Sequence, residues 1–215
     1  MLKIKMTRLQ WLANIGALLP FLIMVWDYSQ NNLTINPIQE ATSRTGKTAL
    51  VLLVLSLACT PLNTLFGWRQ VLKLRRTLGL YAFYYASMHF LIFIGLDYGL
   101  NWNLILEATF EKRYALVGFS ALMTLLPLAI TSSKGWQKRL KKNWKKLHKL
   151  SYVAGILVVV HFVWLVKSDY REPLVYGGIV AGLLLLRVPS IRKRMSRLKF
   201  GKATEDKAVQ QESAA

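Results

Sequence analysis

Six apolar blocks alternate with polar or basic segments along the chain. An α-helix needs about 20 apolar residues to cross the hydrocarbon core of a bilayer. Five of the blocks approach that length, and the sixth is short enough that it would have to include flanking residues. Pro20 predicts a kink in the first helix, and Pro61 predicts a break near the end of the second. The pattern predicts membrane-spanning helices over residues 9–26, 48–66, 78–96, 114–130, 150–166 and 174–188.

Composition agrees with a membrane protein rather than a basic soluble one. The 215 residues are 53% hydrophobic and 18% charged, with a formal net charge of +19. Soluble domains carry about 25% charged residues. A nucleic-acid-binding protein would distribute its basic residues over a soluble fold and would lack several long apolar runs. We therefore expect an all-α integral membrane protein, a six-helix bundle in contact with membrane lipid, without a nucleic-acid partner.

The basic residues are distributed unequally between the two sides that six spans would create. One side would hold both termini, the loop at 67–77, the segment at 134–149 and the region from Arg187, with 23 Lys and Arg residues. The other side would hold 6 Lys and Arg and seven of the ten acidic residues. Cytoplasmic loops are enriched in Lys and Arg. The asymmetry predicts that the N- and C-termini are cytoplasmic.

The ends of the chain and its single cysteine add little chemistry. The first eight residues, MLKIKMTR, resemble the start of a signal peptide, but no small-residue cleavage site follows, so we interpret the first block as an uncleaved span. Cys59 is the only cysteine, which excludes an intrachain disulfide. No internal repeat is evident. We expect a helical membrane domain over residues 1–198 and a disordered cytoplasmic tail over residues 199–215, which has few apolar residues to bury.

Two histidines lie at similar depth in different predicted spans. His89 is about eleven residues into the third span and His161 about twelve residues into the fifth, both counted from the basic side. A histidine in a span is costly without a partner and is therefore a candidate functional residue. Two imidazoles on neighbouring helices could hold a metal between them, and haem b, whose iron accepts two axial nitrogens, is the candidate. Two alternatives remain open: each histidine could bond only a nearby backbone or hydroxyl group, or the pair could serve a haem-free transporter or proton relay.

His148 lies at the basic end of the fifth span, thirteen positions before His161. That offset corresponds to a rotation of about 220° on an ideal helix, so the two residues are predicted to face different neighbours. The matching position on the third span is held by Arg75 or Arg76, neither of which is an ordinary haem ligand. We expect these arginines to contact a haem propionate or a flavin phosphate. His148 is then one visible ligand of a second metal site, or a residue of the membrane interface.

Three segments resemble the ferric reductase-like transmembrane family. They are RRTLGLYAFYYASMHFLIF at 75–93, ITSSKGWQKRLKKNWKKLHKLSY at 130–152 and HFVW at 161–164. Any one of them alone would be a weak signal, whereas their combination and spacing are specific. The resemblance extends over about residues 8–198.

The resemblance implies a haem b-containing subunit of the bacterial inner membrane, with His89, His148 and His161 as haem-iron ligands. Such a subunit would pass electrons to MsrP, a periplasmic molybdopterin enzyme that reduces methionine sulfoxide in oxidised proteins. FMN is also implied as a cofactor, although no phosphate-binding glycine motif is visible. Family members with their own flavin and nicotinamide domain are much longer, so the electron donor would be the quinol pool or a soluble flavin reductase. A cytochrome b-type subunit serving another reductase or dehydrogenase is the alternative.

Overall fold

The computed structural model describes residues 7–191, and in that range all the regular secondary structure is helical. A 3₁₀ turn at Arg69–Lys73 leads into the helix at Leu74–Ile92, and a π turn at Phe93–Asp97 extends that helix. The predicted tail at 199–215 and the last part of the predicted membrane domain lie outside the described residues. The helices are α1 (Arg8–Ser29), α2 (Pro37–Phe66), α3 (Leu74–Ile92), α4 (Trp102–Glu111), α5 (Arg113–Ile130), α6 (Lys134–Leu140), α7 (Lys142–Leu147), α8 (Leu150–Leu165) and α9 (Arg171–Leu185).

Five helical stretches are long and apolar enough to cross a membrane: Arg8–Ser29, Pro37–Phe66, Arg69–Asp97, Arg113–Ile130 and Lys142–Leu165. Many of their large apolar side chains face outward, as expected for surfaces in contact with lipid rather than water. Helix α9 has 15 residues, about 22 Å at 1.5 Å per residue, and falls short of the same standard. The predicted membrane protein is confirmed, and the sixth span stays a prediction.

The centre of the molecule is formed by two helix pairs, α2 with α3 and α5 with α8. Small residues let the backbones approach closely, as is usual where membrane helices pack. Ala82 on α3 and Ala154 on α8 are both fully buried. Leu53 and Leu57 of α2 and Leu125 of α5 belong to the same buried cluster. Helix α1 packs against α3, and α9 packs against α8 and α2.

Proline is accommodated inside two of the spanning helices by a side chain from a neighbour. In α1, near Pro20, the Tyr85 hydroxyl accepts from the backbone N–H of Phe21 and donates to the carbonyl of Ala17. The N–H of Phe21 would ordinarily bond that carbonyl directly, so the hydroxyl is inserted into the helix. This bridge explains how α1 stays helical through Pro20 while being fixed to α3.

Pro61 does not end α2, contrary to the prediction of a break, and the helix continues to Phe66. Proline has no N–H, so it cannot supply the donor that the Leu57 carbonyl would receive four residues later. The Arg187 guanidinium, from just beyond α9, donates to this carbonyl at 2.5 Å. It also lies over the ring of Tyr152, 4.7 Å from the centroid. A side chain thus replaces the missing backbone donor.

Helix bounds differ from the sequence prediction in three polar segments. Helix α2 begins at Pro37, eleven residues early, because Asn36 caps it by accepting from the N–H of Gln39. The polar segment at 97–113, between the third and fourth predicted spans, contains the ten-residue helix α4, which Asn101 caps. The basic segment at 134–149 forms α6 and α7.

Candidate functional site

The structure brings His89 of α3 and His161 of α8 together inside the bundle. Their ring centroids are 6.1 Å apart, and the ring planes are nearly perpendicular at 83°. Both side chains are partly buried among the spanning helices. Two of the three sequence-predicted histidines therefore form a pair.

Each ring of the pair is held by a backbone carbonyl on a neighbouring helix. His89 Nδ1 lies 2.8 Å from the carbonyl oxygen of Thr42 in α2, and His161 Nδ1 lies 2.7 Å from that of Tyr114 in α5. A carbonyl oxygen can only accept, so each Nδ1 must carry the proton and donate. In a neutral imidazole this leaves Nε2 with its lone pair available. Metal-ligating histidines are oriented in this way by a carbonyl partner on the other ring nitrogen.

A glycine lies against each ring. A Cβ built on Gly46 of α2 would lie 3.0 Å from His89 Nδ1, and one on Gly118 of α5 would lie 2.7 Å from His161 Nδ1. The second distance is shorter than real Cβ contacts, and the first is at their limit. Both helices therefore have glycine where the imidazole packs closest.

The two halves of this site have the same spacing in the sequence. Each histidine lies 47 positions after its carbonyl partner, and each glycine lies four positions after that partner. The second set follows the first by 72 positions. The same offset relates further pairs of identical residues: Ala49 and Ala121, Leu50 and Leu122, Leu53 and Leu125, Leu78 and Leu150, Ala82 and Ala154, Phe90 and Phe162. The α2–α3 and α5–α8 pairs therefore share a spaced set of identical residues that was not predicted from the sequence.

His148 lies apart from this pair, in a cavity of about 240 Å³ between α2, α3, α5, α7 and α8. The Thr131 hydroxyl donates to the Pro127 carbonyl, so it can accept from His148 Nε2, which is 3.2 Å away. The His148 ring also stacks on Trp144, with centroids 4.0 Å apart. His148 therefore does not present a free Nε2. The polar lining includes Arg75, Arg76, Ser132 and Ser151.

The two sites therefore differ in chemistry. The His89–His161 pair offers two neutral nitrogens, while the cavity offers one imidazole and two guanidinium groups. By the 72-residue offset, the counterpart of His148 on α3 is Arg76, so the cavity has arginine where symmetry would place a second histidine. Among residues 7–191, the structure contains no group of three His, Cys, Asp or Glu side chains able to hold a metal ion.

A family model and individual relatives of known name both indicate the same family. The model of the ferric reductase-like transmembrane component matches residues 45–159, which include His89 and His148. A protein from Xanthomonas campestris pv. campestris, named protein-methionine-sulfoxide reductase heme-binding subunit MsrQ, is 49% identical over 179 residues, covering 80% of this chain and 82% of the relative. The chain belongs to the MsrQ family of ferric reductase-like transmembrane proteins.

Other members of the MsrQ family match over a similar extent. The protein of that name from Xanthomonas axonopodis pv. citri is 46% identical over 183 residues, covering 82% of this chain and 84% of the relative. The one from Rhodospirillum rubrum is 41% identical over 184 residues, covering 85% and 88%. No solved structure shows significant similarity to the chain. The predicted family resemblance is confirmed.

The sequence predicted all three histidines and both arginines as site residues, but it did not predict the groups that hold the histidine pair. Thr42 and Tyr114 act through their backbone carbonyls, so residue type gives no signal. Gly46 and Gly118 could have been found, because each precedes a histidine by the same 43 positions.

Proposed function

We propose that the protein is the haem b-binding membrane subunit of a methionine sulfoxide reductase system, with His89 and His161 as axial ligands of the haem iron. The observation that supports this most strongly is the pair of imidazoles 6.1 Å apart, each with Nδ1 engaged by a carbonyl and Nε2 available. The MsrQ relatives, which are named heme-binding subunits, support the same assignment.

The donor set fits a porphyrin better than a bare metal ion. Structural and catalytic zinc sites have at least three protein ligands, and the two histidines have no third His, Cys, Asp or Glu beside them in the described part of the chain. An iron porphyrin brings its own four nitrogens and needs only two more. A haem ligated on both sides has no open position, which favours electron transfer over ligand chemistry.

When bound, the haem supplies reversible one-electron transfer. The chain holds the two imidazoles in one tautomer through Thr42 and Tyr114. It holds them among the spanning helices, and within residues 7–191 no third His, Cys, Asp or Glu side chain lies beside them. Sulfoxide reduction takes two electrons and two protons and yields methionine and water. We assign that chemistry to the partner subunit, MsrP, a periplasmic molybdopterin enzyme, and the delivery of electrons to this chain.

The cavity at His148 fits an anionic cofactor rather than a second haem with two histidine ligands. His148 Nε2 is directed at Thr131, and the matching position on α3 is Arg76. Arg75 and Arg76 suit a phosphate or a carboxylate. We propose that this cavity takes FMN through its phosphate, or the propionates of a second haem that His148 would ligate after giving up its bond to Thr131.

The proposed topology has six spans, with both termini in the cytoplasm of a bacterial inner membrane. Two contacts support α9 as the sixth span. Near its start, Glu172 accepts from Lys47 of α2 at 2.8 Å, and just past its end Arg187 reaches the Leu57 carbonyl of α2. The chain from 172 to 187 thus runs parallel to α2, from the side poor in Lys and Arg to the rich side.

Electrons would enter at the basic, cytoplasmic side and leave at the periplasmic side. The quinol pool or a soluble flavin reductase would supply them, near the cavity of His148. The predicted periplasmic segments carry 6 basic and seven acidic residues, so their net charge is small. That balance suits transient docking of MsrP.

Electron transfer through the membrane can be tested in proteoliposomes. The purified protein is reduced and then mixed with MsrP and a protein-bound methionine sulfoxide. We expect the reduced b-type absorption band to disappear only when both MsrP and sulfoxide are present. Reoxidation that is independent of MsrP would favour a cytochrome subunit for another reductase or dehydrogenase. A purified protein with no b-type band in its reduced-minus-oxidised spectrum would favour a haem-free transporter or proton relay.

A further inference from the structure

Each histidine of the pair packs into the place where a neighbouring helix has no side chain. We propose that Gly46 and Gly118 are positioning residues that set the orientation of the two imidazole planes, and through it the electronic state of the bound haem. This inference depends on the proposed haem between His89 and His161.

Glycine is needed at these two positions because each lies beside the carbonyl that a histidine bonds. In an α-helix the carbonyl of residue i accepts from the N–H of residue i+4. Gly46 is the i+4 residue of Thr42, and Gly118 is the i+4 residue of Tyr114. The imidazole must therefore approach an oxygen that lies beside the glycine in its own helix. A carbonyl has two lone pairs and can accept both bonds, provided that no Cβ blocks the second donor.

A side chain at either glycine would displace the ring nitrogen that makes the hydrogen bond. At Gly118, an added Cβ would lie 2.7 Å from His161 Nδ1 and 2.8 Å from Cε1. At Gly46 the corresponding distances to His89 are 3.0 and 3.1 Å. Nδ1 is the atom that donates to the carbonyl. A methyl group would therefore rotate or shift the ring off its hydrogen bond, and the effect would be larger at Gly118.

Other contacts hold α2 and α5, the helices that carry the two glycines, in place. The part of α2 that carries Thr42 and Gly46 is fixed from two directions by ion pairs. Arg44 pairs with Asp27 of α1, and Lys47 pairs with Glu172 at 2.8 Å. On the other half of the site, α5 is tightly packed along α8. We therefore expect the imidazole ring to shift before the helix does.

The orientation of the rings has a spectroscopic consequence. When two axial imidazole planes are nearly perpendicular, neither of the two π-type d orbitals of the iron is preferred. Oxidised low-spin haem then gives a strongly anisotropic EPR spectrum with one extreme low-field feature, whereas parallel planes give three resolved lines. The 83° angle between His89 and His161 predicts the first type. Hydrogen bonding around the axial ligands is among the means by which a protein tunes a haem.

The experiment compares Gly118→Ala and Gly46→Ala with Gly178→Ala, in full-length protein purified in detergent. Gly178 is a matched control, because it is also within a helix and an added Cβ there meets nothing within 4 Å. Haem per polypeptide, the EPR spectrum of the oxidised protein and far-UV circular dichroism are measured for each. Alanine has a higher helix propensity than glycine, so helical content should be retained in all three.

We expect Gly118→Ala to lower the affinity for haem about 10-fold or more. Metal affinity falls in that range when the groups that orient a metal ligand are lost. Gly46→Ala should keep its haem, and its low-field EPR feature should move toward the three-line type. Gly178→Ala should match wild type. Wild-type haem content and EPR spectra in both Gly46→Ala and Gly118→Ala would overturn the inference while leaving the proposed function intact. A wild-type protein without haem would instead overturn the proposed function.

Discussion

Replacement of Tyr85 by phenylalanine removes one buried hydroxyl that completes the hydrogen bonding of α1 near Pro20. Tyr85 is 1% exposed. Its hydroxyl lies 2.7 Å from the Ala17 carbonyl and 3.1 Å from the Phe21 nitrogen. The phenyl ring would fill the same space, so the substitution leaves packing almost unchanged and tests these two bonds alone.

The expected cost follows from the number of bonds and their surroundings. Hydrogen bonds between membrane helices average about 0.6 kcal/mol and reach about 1.7 kcal/mol. Two buried bonds of about 1 kcal/mol each, to backbone groups beside a proline, should cost about 2 kcal/mol in total. For a chain of this size that corresponds to a fall in melting temperature of about 4–8 °C.

The assay is thermal unfolding in detergent, with Tyr84→Phe as the matched control. Tyr84 is the adjacent residue and is 45% exposed, and within residues 7–191 its hydroxyl makes no hydrogen bond. We expect Tyr84→Phe to melt with wild type and Tyr85→Phe to melt several degrees lower with its haem content unchanged. Equal melting of the two variants would refute the idea that this hydroxyl bridges α1.

Three further predictions concern the other cofactor cavity and α9. Arg187→Met removes the donor to the Leu57 carbonyl and should destabilise the protein by about 1–3 kcal/mol. Arg69 is exposed, so Arg69→Met should melt at the wild-type temperature. Equal thermal melting of these two variants would contradict the role given to Arg187. Arg76→His provides a histidine at the counterpart of His148 and should raise haem per polypeptide, whereas unchanged haem would argue against the symmetric relation between these positions. His148→Ala should lower the flavin or second-haem content and leave the b-type spectrum of the inner haem, and loss of that spectrum would contradict the division into two sites.

The main architecture could be predicted from the sequence because hydrophobic length is a strong signal in membrane proteins. Five of the six predicted spans correspond to long apolar helices. The meeting of His89 and His161 followed from their equal depth, counted from the basic side. Helical rotation predicted that His148 would face away from that pair, whereas in the structure it lies in the turn between α7 and α8, in a separate cavity. These features depend on period and distance, which sequence spacing records directly.

Other features depend on groups that a sequence does not reveal. The carbonyls of Thr42 and Tyr114 belong to the backbone, so their residue types give no indication of a role at the site. Helix α4 lies in a segment whose apolar residues are too few for a span, and it forms because Asn101 caps it and Ile105 and Ala108 are buried. Helix α2 continues through Pro61 because Arg187 donates to the Leu57 carbonyl. These two residues are 130 positions apart in the chain.

The central claim is that His89 and His161 together hold one haem. The most direct test quantifies haem and records reduced-minus-oxidised spectra for wild type, His89→Ala and His161→Ala, each compared with His148→Ala. We predict that either of the first two substitutions removes the same b-type haem, while His148→Ala retains it. Full haem content with an unchanged spectrum in both His89→Ala and His161→Ala would contradict the assignment.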